Sequence, residues 1–263
     1  MYLCRWLLPL VCVAACAQDP FEIQVFEYEP LPLGAFTYET HLNYVLAGTT
    51  EFDGPVAPLQ GQLHFSSEWT AGITDQIRAG FVVLTAVVPG LGIQYGGLRV
   101  LPHFYAPKSW GLPVNVGFVA ELSFERPIFD QDTRHVELRG IIEKHIGRLQ
   151  MDGNVVLERA LHGPGIRDGW DFEPSVRVGW RAWKTLTPSL EYYGDLGPAG
   201  NLLPRGQQIH LLFPGADWKI GERLTWSFGV GLGATDAGSQ VILKSRIEYE
   251  FGGKHDRTSP ESK

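Results

Sequence analysis

The chain has 263 residues, 44% hydrophobic and 19% charged, with a formal net charge of −7. That length fits one large domain or two small ones able to bury a core. The acidic balance, with no Lys/Arg run, argues against a nucleic-acid partner.

Residues 1–17, MYLCRWLLPLVCVAACA, carry a lone Arg5, a short apolar run from Trp6 to Ala15, and a small-x-small site at Ala15-Cys16-Ala17. This pattern predicts a cleaved signal peptide, because so short a run cannot cross about 30 Å of hydrocarbon as a helix. Val13-Ala14-Ala15-Cys16 also fits a lipoprotein processing box, which leaves cleavage after Ala17 and lipidation at Cys16 both open. All three cysteines (Cys4, Cys12 and Cys16) lie in this leader. Cleavage after Ala17 therefore leaves no disulfide, thiolate metal site or cysteine nucleophile. Residues 18–35 form a weakly alternating segment expected on the periplasmic side. It has four candidate roles: pairing with a strand, lining the mouth, entering the lumen as a small plug, or serving as a disordered leader.

From residue 36 onward the dominant signal is period two, the mark of strands with unlike faces. Twelve alternating runs span about 36–46, 61–73, 76–88, 93–106, 114–125, 134–146, 149–161, 172–183, 188–195, 207–220, 224–235 and 241–251. In LTWSFGVGLGAT, Leu224, Trp226, Phe228, Val230 and Leu232 fall on one side, and Thr225, Ser227, Gly229, Gly231 and Gly233 on the other. Pro102 and the Pro214-Gly215 pair read as bulges within their runs. After Phe251, residues 252–263 are expected as a disordered tail.

Most runs exceed the 5–6 residues usual in soluble sheets and suit tilted strands crossing a bilayer. Short connections such as Thr74-Asp75 and Gly147-Arg148 alternate with long ones such as AGTTEFDGPVAPLQ and GDLGPAGNLLPRGQ. The fold expected is an all-β, antiparallel transmembrane β-barrel of about 12 strands, with short periplasmic turns and longer extracellular loops. Phe36, Tyr38, Trp69, Phe104, Trp180, Trp218, Trp226, Tyr249 and Phe251 are placed outward at the periplasmic membrane interface. Tyr44, Phe65, Tyr95 and Phe124 are placed at the outer interface, completing two aromatic girdles.

The opposite face is ionisable. The strand register assigns to the lumen Glu39, His41, His64, Glu68, Arg78, Arg99, His103, Glu121, His135, Glu137, Arg139, Glu143, Arg177, Arg181, Glu191, His210, Lys244, Arg246 and Glu248. Twelve strands lie between the eight that fill their own interior and the sixteen that leave a water channel. These side chains therefore suit either a salt-bridged filling or a selective path. The histidines are spread over several strands without HxH or HExxH spacing, so neither a metal nor another cofactor is expected.

Several segments resemble a family of Gram-negative outer-membrane barrels known as putative transporters or phenol-degradation meta-pathway proteins. They are FEIQVFEYEPLPLGAFTYETHLNYV, RVLPHFYAPKSWGLPV, RALHGPGIRDGWDFEPSVRVGW, TPSLEYYGDLGP and LTWSFGVGLGATDAG. The resemblance implies a passive outer-membrane channel for small solutes, including hydrophobic or aromatic ones, in a Gram-negative bacterium. It also implies contact with outer-membrane lipids, lipopolysaccharide and the barrel-assembly machinery, which reads a C-terminal aromatic such as Phe251. The alternatives are a structural or adhesive barrel, or an outer-membrane lipid hydrolase. A hydrolase needs Ser and His together on the lipid-facing surface, and no outward strand position is expected to carry His. No catalytic residue is assigned.

Overall fold

Thirteen strands account for nearly all regular structure in the computed structural model, which describes residues 19–252. They are β1 (Phe36–Ala47), β2 (Leu63–Gly72), β3 (Ile77–Val88), β4 (Gly92–Tyr105), β5 (Asn115–Glu125), β6 (Arg134–Ile146), β7 (Leu149–His162), β8 (Asp171–Phe172), β9 (Ser175–Trp180), β10 (Leu186–Asp195), β11 (Ile209–Ile220), β12 (Leu224–Gly233) and β13 (Val241–Phe251). Each pairs antiparallel with its neighbours, β1 pairs with β13, and β6 pairs with β7. The result is a closed 12-strand barrel, with the two-residue β8 attached to the outer part of β7. The expected leader and the residues after 252 lie outside the described residues.

Closure follows from the sequence pattern. A strand with one apolar face can satisfy its main-chain groups and still contact hydrocarbon only if the sheet has no free edge. On β12, Phe228, Val230 and Leu232 are exposed to the outside, while Ser227, Gly229 and Gly231 are covered from within. On the neighbouring β13, Leu243 and Ile247 are exposed, whereas Lys244 is buried in the lumen.

Connections at the end holding Phe36 and Phe251 are short, except for residues 106–114. At the opposite end, loops 48–62, 126–133, 163–174 and 196–208 are long.

Three expectations about the strands need correction. Neither Pro102 nor Pro214 sits in a bulge, since Ala79↔Pro102 and Leu190↔Pro214 keep the register of their neighbours. Each proline lacks an N–H and drops a ladder rung, and neither adds a residue. The register shifts fall elsewhere, between Val45 and Ala47, opposite Gly96, and beside Arg134. The run expected over 172–183 divides into the short β8 and a six-residue β9 that ends at Trp180. Third, residues 19–35, expected on the periplasmic side, instead run inside the barrel, the small-plug role among the four candidates (below).

The outward face offers a direct test. Val230→Arg places a charge near the middle of β12's lipid face and should cost about 2–4 kcal/mol of folding stability in bilayers. Gly147→Arg, in an exposed turn, should cost far less apart from its glycine conformation. Denaturant-dependent refolding into lipid vesicles measures both.

Candidate functional site

The lumen is occupied by the chain's own N-terminal segment. Residues 19–35 form no strand. They descend from the long-loop end, where Asn43 Nδ2 donates to the Pro20 carbonyl at 2.9 Å, to the short-turn end, where the Gly34 N–H meets the Gly72 carbonyl at 3.3 Å. Without sheet partners, the main chain here is held by wall side chains. Asn154 clamps Phe26 from both sides, accepting from its N–H at 2.7 Å and donating to its carbonyl at 2.9 Å. Glu143 accepts from the Tyr28 N–H at 3.2 Å, and the Tyr28 hydroxyl donates to the Ala106 carbonyl at 2.7 Å.

Alternation in DPFEIQVFEYE distributes two chemistries. The apolar residues enter two patches on the wall. Phe21 and Phe26 pack with Val82, Leu84, Leu101, Tyr105, Val119 and Ile141; Ile23 and Val25 pack with Tyr193, Ile209, Leu211, Phe213 and Ile242. Burying each such side chain contributes about 1.5–3 kcal/mol, so these contacts supply most of the attraction. The acidic residues meet lumen arginines. Arg99 contacts Asp19 at 2.6 Å and Glu22 at 3.5 Å, as well as Glu121 at 3.4 Å and Glu125 at 2.6 Å. Arg177 contacts Glu27 at 3.3 Å and Asp152 at 3.0 Å, and also binds Asp217. Arg78 lies 3.9 Å from Glu29. Arg246 bonds Gln24 at 2.9 Å and Glu39 at 3.1 Å, while the Arg139 guanidinium lies 4.3 Å from the Phe26 ring centre. Desolvation offsets much of the gain from such enclosed ion pairs, so their chief effect is to fix the register of the segment.

Two glycines make this threading possible. A Cβ on Gly72 would lie 2.1 Å from the Pro32 carbonyl oxygen, and one on Gly96 would lie 2.7 Å from the Phe21 ring. Gly96 is the extra residue of a bulge, and its missing side chain leaves the hollow that Phe21 fills. Phe129, from the loop over 126–133, caps Phe21 edge-on at 5.1 Å. In the same loop, burial pushes the Asp130 carboxyl up to about 7 against the pull of His135, 3.9 Å away.

The space left beside the segment is small. A cavity of about 10 Å³ lies between Ile23–Val25 and the wall residues Arg177, Asp217, Ser227 and Arg246, room for one water at most. At the short-turn mouth the space widens to about 360 Å³ between Lys219, Thr225, Glu248 and Glu250. Among the described residues, Glu27, Glu143 and Asp152 bring carboxylate oxygens within 4.8 Å of one another. Arg177 and Gln150 already bond Asp152 there, which gives the cluster protein partners of its own.

The structure places Glu39, His41, His64, Glu68, Arg78, Arg99, His103, Glu121, His135, Glu137, Glu143, Arg177, Glu191 and Lys244 buried on the lumen side. Arg139, Arg246 and Glu248 share those faces and are half-buried. Two assigned residues are elsewhere. Arg181 is exposed in the turn after β9, because that strand ends at Trp180. His210 faces outward beside Leu212, because the absence of a bulge at Pro214 keeps β11 in one parity.

His210 thus overturns the expectation of no outward histidine. One of its ring nitrogens meets the Tyr192 hydroxyl at 2.8 Å and the other the Gln208 side-chain oxygen at 3.1 Å. The outward serines Ser67 and Ser245 instead bond Tyr38 at 2.8 Å and Trp226 at 2.9 Å, so no Ser–His pair forms between these residues.

Of the aromatics placed at the interface, Phe36, Trp69, Phe104, Trp180, Trp218 and Phe251 are exposed outward. Tyr38, Trp226 and Tyr249 are half-covered by Trp69, Phe228 and Phe251 respectively. The apolar lumen patches were missed in the sequence, although the loss of alternation in FVVLTAVV of β3 signals one of them.

The architecture matches solved structures. The COG4313 outer membrane channel from Pseudomonas putida F1 aligns with a TM-score of 0.56 at 13% identity, covering 88% of this chain and 100% of that one. The fold is that of outer-membrane β-barrels. The KdgM porin aligns with a TM-score of 0.53 at 10% identity, over 82% of this chain and 99% of the porin. Identities this low establish the fold alone. No family model and no curated protein matches the chain, so the phenol-degradation resemblance gains no support from sequence comparison.

The clamp on Phe26 is testable because Cys4, Cys12 and Cys16 all precede the lumen segment and can be replaced by Ser. In an Ile23→Cys protein, thiol labelling should be slow. Adding Asn154→Ala removes both clamping bonds, a loss of roughly 1–3 kcal/mol, and should speed labelling about tenfold or more. Gly72→Val should do the same by displacing Pro32.

Proposed function

We propose that the protein is a gated passive channel of the outer membrane for small apolar or aromatic solutes, with residues 19–35 as the gate. The observation that carries this reading is how the segment is bound. A permanent filling would gain from joining the sheet or from a covalent tie. This segment uses side-chain clamps, ion pairs and apolar patches instead, all of which a solute or water can replace.

The patches also bear on solute class. Phe21, Phe26, Ile23 and Val25 occupy hollows that an aromatic or aliphatic solute fits equally well once the segment withdraws. Around them, Arg99, Arg177 and Arg246 keep the wall hydrated and oppose irreversible capture of a greasy molecule. The fold shared with channels and porins agrees with this reading. The phenol-degradation resemblance points the same way.

Two measurements test it. In planar bilayers the parent should show rare, brief openings, whereas deletion of residues 19–31 should give a steady conductance. In liposomes the deleted protein should speed uptake of a small phenol over empty vesicles and do little for a sugar of similar size. A folded deletion variant that neither conducts nor transports the phenol would overturn the channel reading and favour a structural barrel. Conductance with sugar uptake equal to that of phenol would keep the channel and remove the apolar preference.

A further inference from the structure

The short-turn end of the barrel combines exposed cations and indoles in a way the lumen does not explain. Lys108 and Trp110 are exposed in the connection between β4 and β5. Arg148 is exposed in the turn between β6 and β7. The turn between β9 and β10 presents Trp180, Arg181, Trp183 and Lys184, all exposed. Before the turn between β11 and β12, Trp218 is exposed, while Lys219 and Arg223 line the mouth cavity and belong to the lumen. Among the described residues, the exposed acids of this end are Asp75 and Glu222. The opposite end mixes signs, with Glu51, Asp53, Asp168 and Asp236 exposed on its loops beside exposed Arg126, Arg167 and Arg205.

We infer that this end is a docking collar for anionic phospholipid head groups, the indoles seated at the head-group boundary and the Lys and Arg side chains reaching the phosphates. Three features favour a lipid leaflet over a protein partner. The cations recur in three successive turns around the barrel instead of gathering in one patch, which suits a planar surface encircling it. In two of those turns a tryptophan stands within three residues of a cation, and indole beside ammonium or guanidinium is the pairing that an interface selects. The outward strand residues just above, among them Phe36, Trp69 and Phe104, are apolar and exposed, so the collar lies where the hydrocarbon band ends. Each Lys or Arg at an anionic leaflet favours association by roughly fivefold, and salt screens the effect over about 10 Å. The collar concerns the outer wall and is independent of whether the lumen conducts.

Tryptophan quenching tests the proposal in the parent protein. In vesicles of phosphatidylethanolamine and phosphatidylglycerol, the acyl chains of one lipid at a time carry bromine. Brominated phosphatidylglycerol should compete for the barrel surface at least about fivefold better than brominated phosphatidylethanolamine, with the preference falling as salt rises. Replacing Lys108, Arg148, Arg181 and Lys184 together by Gln should abolish the preference. Replacing Arg126, Arg167 and Arg205 at the other end by Gln should leave it intact. Equal quenching by the two lipids in the parent would overturn the inference without needing any variant. A preference that survives in the collar variant, or that the opposite-end variant loses equally, would overturn it as well.

Discussion

In hydrocarbon there is no water to bond a free N–H or C=O, so a membrane sheet must pair its last strand with its first. The rest of the structure depends on this requirement. With β1 joined to β13 and β6 to β7, each long strand acquires an outside and an inside. The period-two sequence then becomes a grease-coated wall around a polar lumen. The glycines and serines of β12 fit the same scheme: they face inward, where Phe213 from β11 takes up the space beside Gly231.

A twelve-stranded wall leaves a further problem, a lumen too wide for its own side chains to fill evenly. The chain answers with a segment of its own. The segment at 19–35 carries carboxylates and apolar groups in alternation, and the wall presents arginines and two apolar patches to receive them. Neither partner is self-sufficient. The wall arginines would lose part of their charge partners without the segment, and the segment lacks the length and pairing to fold alone. Held by ion pairs, clamps and apolar contacts and by no sheet pairing, the filling meets the physical requirement of the proposed gate.

The two ends of the barrel differ in their aromatics as well as in loop length. Tryptophans beside cations in the turns of one end, against loops of mixed charge at the other, give the cylinder a direction. That polarity lies in short turns where a strand pattern carries no information, so each residue there is free to answer to the surroundings of the barrel instead of its core.

Local alternation was enough to determine the wall: the number of long strands, nearly all their boundaries, and which side chains of β1, β2, β5, β6 and β13 face in. A residue's face depends only on parity once the neighbouring register is kept, and parity is written in the sequence. The failures mark where that condition breaks. A proline can drop a rung or add a bulge; from the sequence the choice at Pro214 was open, and it decided where His210 points. Arg181 left the lumen because β9 stops at Trp180. The position of residues 19–35 was a tertiary decision throughout. Nothing in FEIQVFEYE says whether its partners are solvent, a strand edge or a lumen, because Asn154, Arg99 and Arg177 that hold it lie far along the chain and meet only when the barrel closes.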